Sequence, residues 1–181
     1  MSMPLSDKQR GVRKGIVAGG AATLVCIIGS LLFGPELLSA GSTTADRIAF
    51  ALKADVLIAL WLGVSIGNLA RHRFFTPEDI DGGGLTTGTE RAKELQATLQ
   101  NTLEQSVLAV LAHLIWIVAT PAAWAVTVPV AVLLFIVGRI LFVKGYGGGA
   151  PSRALGFALT FYPTMLMLVI SLYWIIRGQV S

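Results

Sequence analysis

The sequence predicts an all-α membrane protein with five transmembrane spans. Its 181 residues are 54% hydrophobic and only 13% charged, against about 25% charged residues in soluble domains. A chain this short exposes a large share of its surface in any fold, so a larger core does not absorb the excess. The apolar residues also fall into long uncharged runs, near the ~20 residues that cross a bilayer, with the charges gathered between them. A net charge of +4 carried in loops beside apolar runs is the pattern of membrane orientation rather than of a nucleic-acid surface. Cys26 is the single cysteine, which excludes an internal disulfide and disfavours a thiolate metal site.

The first span covers residues 15–35, after a basic stretch holding Lys8, Arg10, Arg13 and Lys14. Its length, and the lack of a small-residue cleavage site before Glu36, favour a retained anchor helix over a removed signal peptide. The second span covers residues 48–70. Lys53 and Asp55 lie near its start, two apart and so pointing in different directions. Lys53 fits an interface-seeking side chain. Asp55 fits either the headgroup region or an interior or subunit contact.

The longest polar segment, residues 71–100, contains Thr76-Pro77-Glu78-Asp79, a helix-start signal with Pro at the first position. Thr87 and Glu90 have capping-box spacing and open a helix that continues into the third span. Arg91, Lys93 and Glu94 read as its solvated face. No Lys, Arg, Asp or Glu occurs between Gln105 and Gly138. This stretch is too long for one span, and Thr120-Pro121 divides it into 101–119 and 123–143. His113 reads as a packing histidine, and Trp116 and Trp124 as interface aromatics beside the turn. A Gly-rich loop over residues 144–153 leads to the fifth span, 154–176.

The N-terminus, the 71–94 loop and the 144–153 loop hold ten Lys and Arg residues, while Arg47 and Arg177 lie at the other ends of the spans. The positive-inside rule then places the N-terminus and both polar loops in the cytoplasm and the C-terminus outside. Asn101, Glu104, Arg139, Tyr146 and Arg153 all fall at the cytoplasmic boundary. Charges there are costly unless paired, which makes Glu104 and Arg139 the leading candidates for a site. Guanidinium groups, a carboxylate, an amide and a phenol at one depth suit a small zwitterionic or anionic ligand. A nearby arginine also favours a thiolate. The same groups equally suit a buried network that locks helices together. Neither a Ser–His–Asp constellation nor zinc-ligand spacing is evident.

Thr76-Pro-Glu-Asp79, Asn101-Thr-Leu-Glu-Gln105, Arg139 with Tyr146 seven positions on, and Ala150-Pro-Ser-Arg153 before the last span follow one another in a set order. Together they resemble the MAPEG family, the membrane-associated proteins in eicosanoid and glutathione metabolism, over about residues 46–177. The likeness is to a divergent, prokaryote-like member, and so to a bacterial inner membrane. It implies a four-helix membrane domain (residues 46–181) assembled as a homotrimer, with residues 1–45 as a basic start and an additional transmembrane helix. It implies glutathione as co-substrate, contacted by Asn101, Glu104, Arg139 and Tyr146. Arg153 would stabilise the thiolate for attack on a lipophilic electrophile or lipid hydroperoxide, and Asp79 would handle protons.

Ala97 and Gln100 stand where glutathione-using members carry a basic, Arg-rich stretch, Phe157 stands where they often carry Tyr, and the Arg often found where the first family helix leaves the membrane is replaced by Asn68 or shifted to Arg71. These differences motivate a second expectation, a catalytically silent lipid-binding or regulatory protein on the same scaffold. A transporter is the third, supported only by Lys53 and Asp55.

Overall fold

The computed structural model describes residues 4–178. Five helices make the fold: α1 (Asp7–Leu37), α2 (Thr44–Phe75), α3 (Glu90–Ala119), α4 (Thr127–Lys144) and α5 (Ala150–Ile176). Short 3-10 turns lie at Pro77–Asp79, Ala122–Val126 and Tyr146–Gly148, and there is no strand among the described residues. All five helices are long and apolar enough to span a membrane, α4 together with the turn before it.

Local chemistry extends several helices beyond their apolar runs. Ser6 and Gln9 cap α1 reciprocally: the Gln9 N–H donates to the Ser6 hydroxyl (3.2 Å) and the Ser6 N–H to Gln9 Oε1 (2.8 Å). Thr43 and Asp46 do the same for α2. With 32 residues, α2 is about 48 Å long, so it crosses a hydrocarbon core of about 30 Å and projects past it.

The start of α3 differs from expectation. Its cap is Thr89, whose hydroxyl accepts from the Ala92 N–H (3.2 Å), not Thr87. Asp79 accepts from both the N–H and the hydroxyl of Thr89, which fixes that residue as the first in register. Thr76-Pro77-Glu78-Asp79 forms a single 3-10 turn rather than a helix. Pro129 lies in the first turn of α4, where proline is tolerated. Trp116 is fully buried; it stacks on Trp124 beside the turn and donates to that residue's carbonyl (2.8 Å).

The helices alternate in direction, and α5 has packing partners on three sides. It packs against α1, α3 and α4, while α2 packs on α3 and α4. Lipid tails are as apolar as leucine, so helices in a bilayer associate mainly through close fit. Glycines provide that fit on two sides of α5. Gly11, Gly15 and Gly19 of α1 press on Pro151, Ala154 and Ala158. On α4, a Cβ at Gly138 would meet Thr160 Cγ2 at 2.7 Å and the Gly156 carbonyl oxygen at 2.8 Å. From Arg153 to Leu168 no residue of α5 is exposed. The basic N-terminal turn of α1, the end of α4 and the start of α5 share one end of the bundle.

The Gly138–Gly156 crossing leaves no room for a side chain. Gly156→Leu is expected to destabilise the protein by about 1–3 kcal/mol through overpacking. A thermal melt in detergent checks this, and a melt unchanged from wild type contradicts the close crossing.

Candidate functional site

Arg139 follows Gly138 on α4 and is fully buried (0% exposed). Hydrocarbon gives a guanidinium nothing to bond to, so its donors require protein acceptors. One Nη donates to Asn101 Oδ1 on α3 (2.8 Å) and the other to Thr160 Oγ1 on α5 (2.7 Å). The close α4–α5 approach brings Thr160 within reach. The Nε–H has no acceptor among the described residues. The face of the guanidinium covers the ring of Phe142, with Cζ 4.5 Å from the centroid.

Arg153 opens the first turns of α5 and is half-buried. Its Cζ lies 4.4 Å from the Tyr146 ring centroid and 6.0 Å from that of Phe142. Phe142 and Tyr146, four apart on consecutive turns, meet edge to face at 5.7 Å. Two guanidinium groups thus share one aromatic pair. No hydrogen bond or ion pair engages Arg153 among the described residues, which leaves its donors available to a ligand.

Of the six residues singled out by sequence, Asn101 and Arg139 bond directly, and Tyr146 and Arg153 stack next to them through Phe142. Glu104 is not joined to Arg139 by a hydrogen bond or ion pair. It is exposed, on the outward face of α3, and accepts from Gln100 Nε2 (2.9 Å). Residues three apart on a helix differ in direction by about 60°, and here that separates the inward Asn101 from the outward Glu104.

Asp79 belongs to a different cluster. Its carboxylate is 1% exposed. It accepts from the Thr89 N–H (2.8 Å) and hydroxyl (2.6 Å) and lies 2.9 Å from His72 Nε2. These bonds tie the end of α2, the 3-10 turn and the start of α3 into one clamp. The Thr89 bonds first, and His72 after them, hold the Asp79 carboxyl below its ordinary value of 3.8. Beside the clamp is a cleft of about 440 Å³, lined by Arg73, Asp79, Ala97 and Gln100 among others. A second, of about 380 Å³, is lined by Asn68, Arg71, His72, Phe75 and Arg91 among others. Arg91 and Lys93 pair with Glu94 and Glu90 on the solvated face of α3.

Sequence reasoning did not single out Thr160, Phe142, His72 or Thr89. It treated Asp55 and His113 separately, yet His113 Nδ1 and Asp55 Oδ1 are 2.6 Å apart, with the residues 1% and 5% exposed. Asp55 therefore takes the interior position, and Lys53 on the same helix is exposed. The second Asp55 oxygen has no partner among the described residues. No group of three or more His, Cys, Asp or Glu side chains suited to a metal gathers among them either.

Five apolar helices with a buried arginine network at one end define an integral, multi-pass membrane protein of the helical-bundle class. The chain belongs to the MAPEG family, which it matches over residues 48–173. The match begins inside α2, so α1 lies ahead of it. Membership associates the chain with glutathione-related and eicosanoid-type membrane chemistry. Neither a curated protein nor a solved structure matches the chain.

Asp79 has a lowered pKa, so its contribution to stability is full above the unfolded value of 3.8 and is lost as pH falls through the lower folded value. The stability advantage of wild type over Asp79→Asn should be level at neutral pH and close only below 3.8. Thermal melts of both proteins across the acid range measure it, and an advantage independent of pH contradicts the assignment.

Proposed function

We propose that the protein is a membrane glutathione-dependent transferase or peroxidase acting on lipophilic electrophiles or lipid hydroperoxides. The observation that carries this reading is Arg153, which is half-buried at the proposed membrane boundary, stacked on Tyr146 and without a hydrogen bond among the described residues. An arginine with open donors in a partly desolvated place favours the thiolate of a bound thiol over the neutral form. The family's general use of glutathione makes that tripeptide the thiol of choice.

In conjugation, the thiolate sulfur forms a bond to an electrophilic carbon, and the electron pair leaves on the departing group or is taken up with a proton. In peroxide reduction, sulfur attacks the O–O bond and becomes a sulfenic acid, and the alkoxide released takes up a proton. A second glutathione thiol then forms the disulfide and frees water. Arg153 holds the negative charge on sulfur before attack, the Tyr146 ring fixes the guanidinium plane, and Asn101 retains free N–H donors for the peptide part of the ligand. Asp79 is placed here as the organiser of the loop beside the site; both its oxygens are already engaged.

Glu104 enters this reading through assembly. It lies on an exposed face of α3 with Leu103, Val107 and Leu111. A homotrimer covers that face and brings Glu104 to a ligand held by a neighbouring copy. The proposed orientation has the basic end of the bundle, and hence the site, at the cytoplasm of a bacterial inner membrane. The additional helix α1 and the four-helix domain from residue 46 are proposed as the two parts of the chain.

A second reading, a catalytically silent lipid-binding or regulatory protein, has one observation in its favour. The cleft beside the clamp is lined by Ala97 and Gln100 rather than by cations at those positions, so its only cations are Arg73 and Lys93. Ultraviolet thiolate absorbance on adding glutathione to purified protein separates the two. The enzymatic reading expects a thiolate signal at neutral pH that Arg153→Ala reduces at least about tenfold, the scale of a lost charge-assisted bond. Absence of the signal in wild type, with a co-purifying lipid, favours the second.

A further inference from the structure

Arg139 is fully buried, and each of its terminal nitrogens donates one N–H, to Asn101 and to Thr160. Its remaining N–H groups have no exposed surface through which to meet a ligand. We infer that Arg139 is a positioning residue in this chain, that Thr160 is its anchor, and that Phe142 transmits its position to Arg153. The inference rests on the enzymatic reading only in taking Arg153 as the group that meets the thiol.

The arrangement works as a stack. The Thr160 hydroxyl donates its proton to the Phe157 carbonyl (2.9 Å), which leaves its lone pairs free to accept from Arg139 (2.7 Å). Thr160 lies seven residues beyond Arg153, two turns along the same face of α5. The Arg139–Thr160 bond therefore sets how far α5 sits along α4, while the Gly138–Gly156 contact sets how close it sits. The Phe142 ring is shared by the two cations, its centroid 4.5 Å from Arg139 Cζ and 6.0 Å from Arg153 Cζ. It is buried and held edge to face by Tyr146. Arg153 is consequently confined to the Tyr146 face. A guanidinium already in place loses little freedom when the ligand arrives, which is the advantage of a preorganised charge. A serine would keep the anchor; a valine would keep the shape of threonine and lose the acceptor.

The test compares Thr160→Val, Thr160→Ser and Phe142→Leu with wild type in two measurements. The first needs no thiol: the rate at which phenylglyoxal labels Arg153, followed by mass spectrometry on folded protein. Thr160→Val and Phe142→Leu should label Arg153 about three- to tenfold faster than wild type, the range expected for one lost anchoring contact. Thr160→Ser should label at the wild-type rate. The second is the thiolate fraction of bound glutathione against glutathione affinity. Thr160→Val should lower the thiolate fraction about tenfold while affinity stays within about twofold. Wild-type labelling in both Thr160→Val and Phe142→Leu overturns the inference, as does a loss of affinity with an unchanged thiolate fraction. If Thr160→Val does not fold, Phe142→Leu decides the labelling arm. If wild type binds no glutathione, the enzymatic reading falls alone, and the labelling rates still decide the role of Arg139.

Discussion

The structure turns on one constraint: a guanidinium enclosed in a hydrocarbon-facing bundle must find its acceptors on other helices. Arg139 finds one on α3 and one on α5. Removing one partner of a buried charge leaves the other uncompensated, so such a group has few tolerable arrangements. Three of the five helices are thereby held in one relative placement near the same end of the bundle. Phe142 accommodates the remaining difficulty, the proximity of a second cation, by presenting an aromatic surface to both.

Backbone proximity makes this bonding possible. Threonine has a short side chain, and it reaches Arg139 only because Gly138 and Gly156 let α4 and α5 nearly touch. The same economy of volume governs α1, whose glycines seat it on the first half of α5. Polar bonding and small-residue packing are therefore one device here, since the polar bond forms only at the separation that the glycines permit.

Much of the fold is legible in the sequence because lipid is an unforgiving solvent. Uncharged runs mark the spans, and Pro121 marks the break between the third and fourth. The depth of Asn101, Arg139, Tyr146 and Arg153 is legible for the same reason: polar residues end apolar runs where water begins. Direction around a helix is harder. Spacing of three groups Asn101 with Glu104, yet one turns inward and the other outward. Partners far apart in sequence are harder still, for neither Asp55 nor His113 carries any sign of the other. Thr160 is silent because threonine in an apolar helix ordinarily bonds its own backbone. Local spacing points to Thr87 as the cap of α3, whereas a carboxylate ten residues before Thr89 decides it.

The seating of α1 on α5 has a consequence for how the protein is made. The principal neighbour of α1 is α5, so the glycine-lined flank of α1 stays unmatched in the lipid until α5 has been inserted. Such a pairing links helices far apart in sequence and belongs to the slow, long-range class of contacts. Packing of α1 into the bundle therefore follows insertion of α5 rather than keeping pace with its own synthesis.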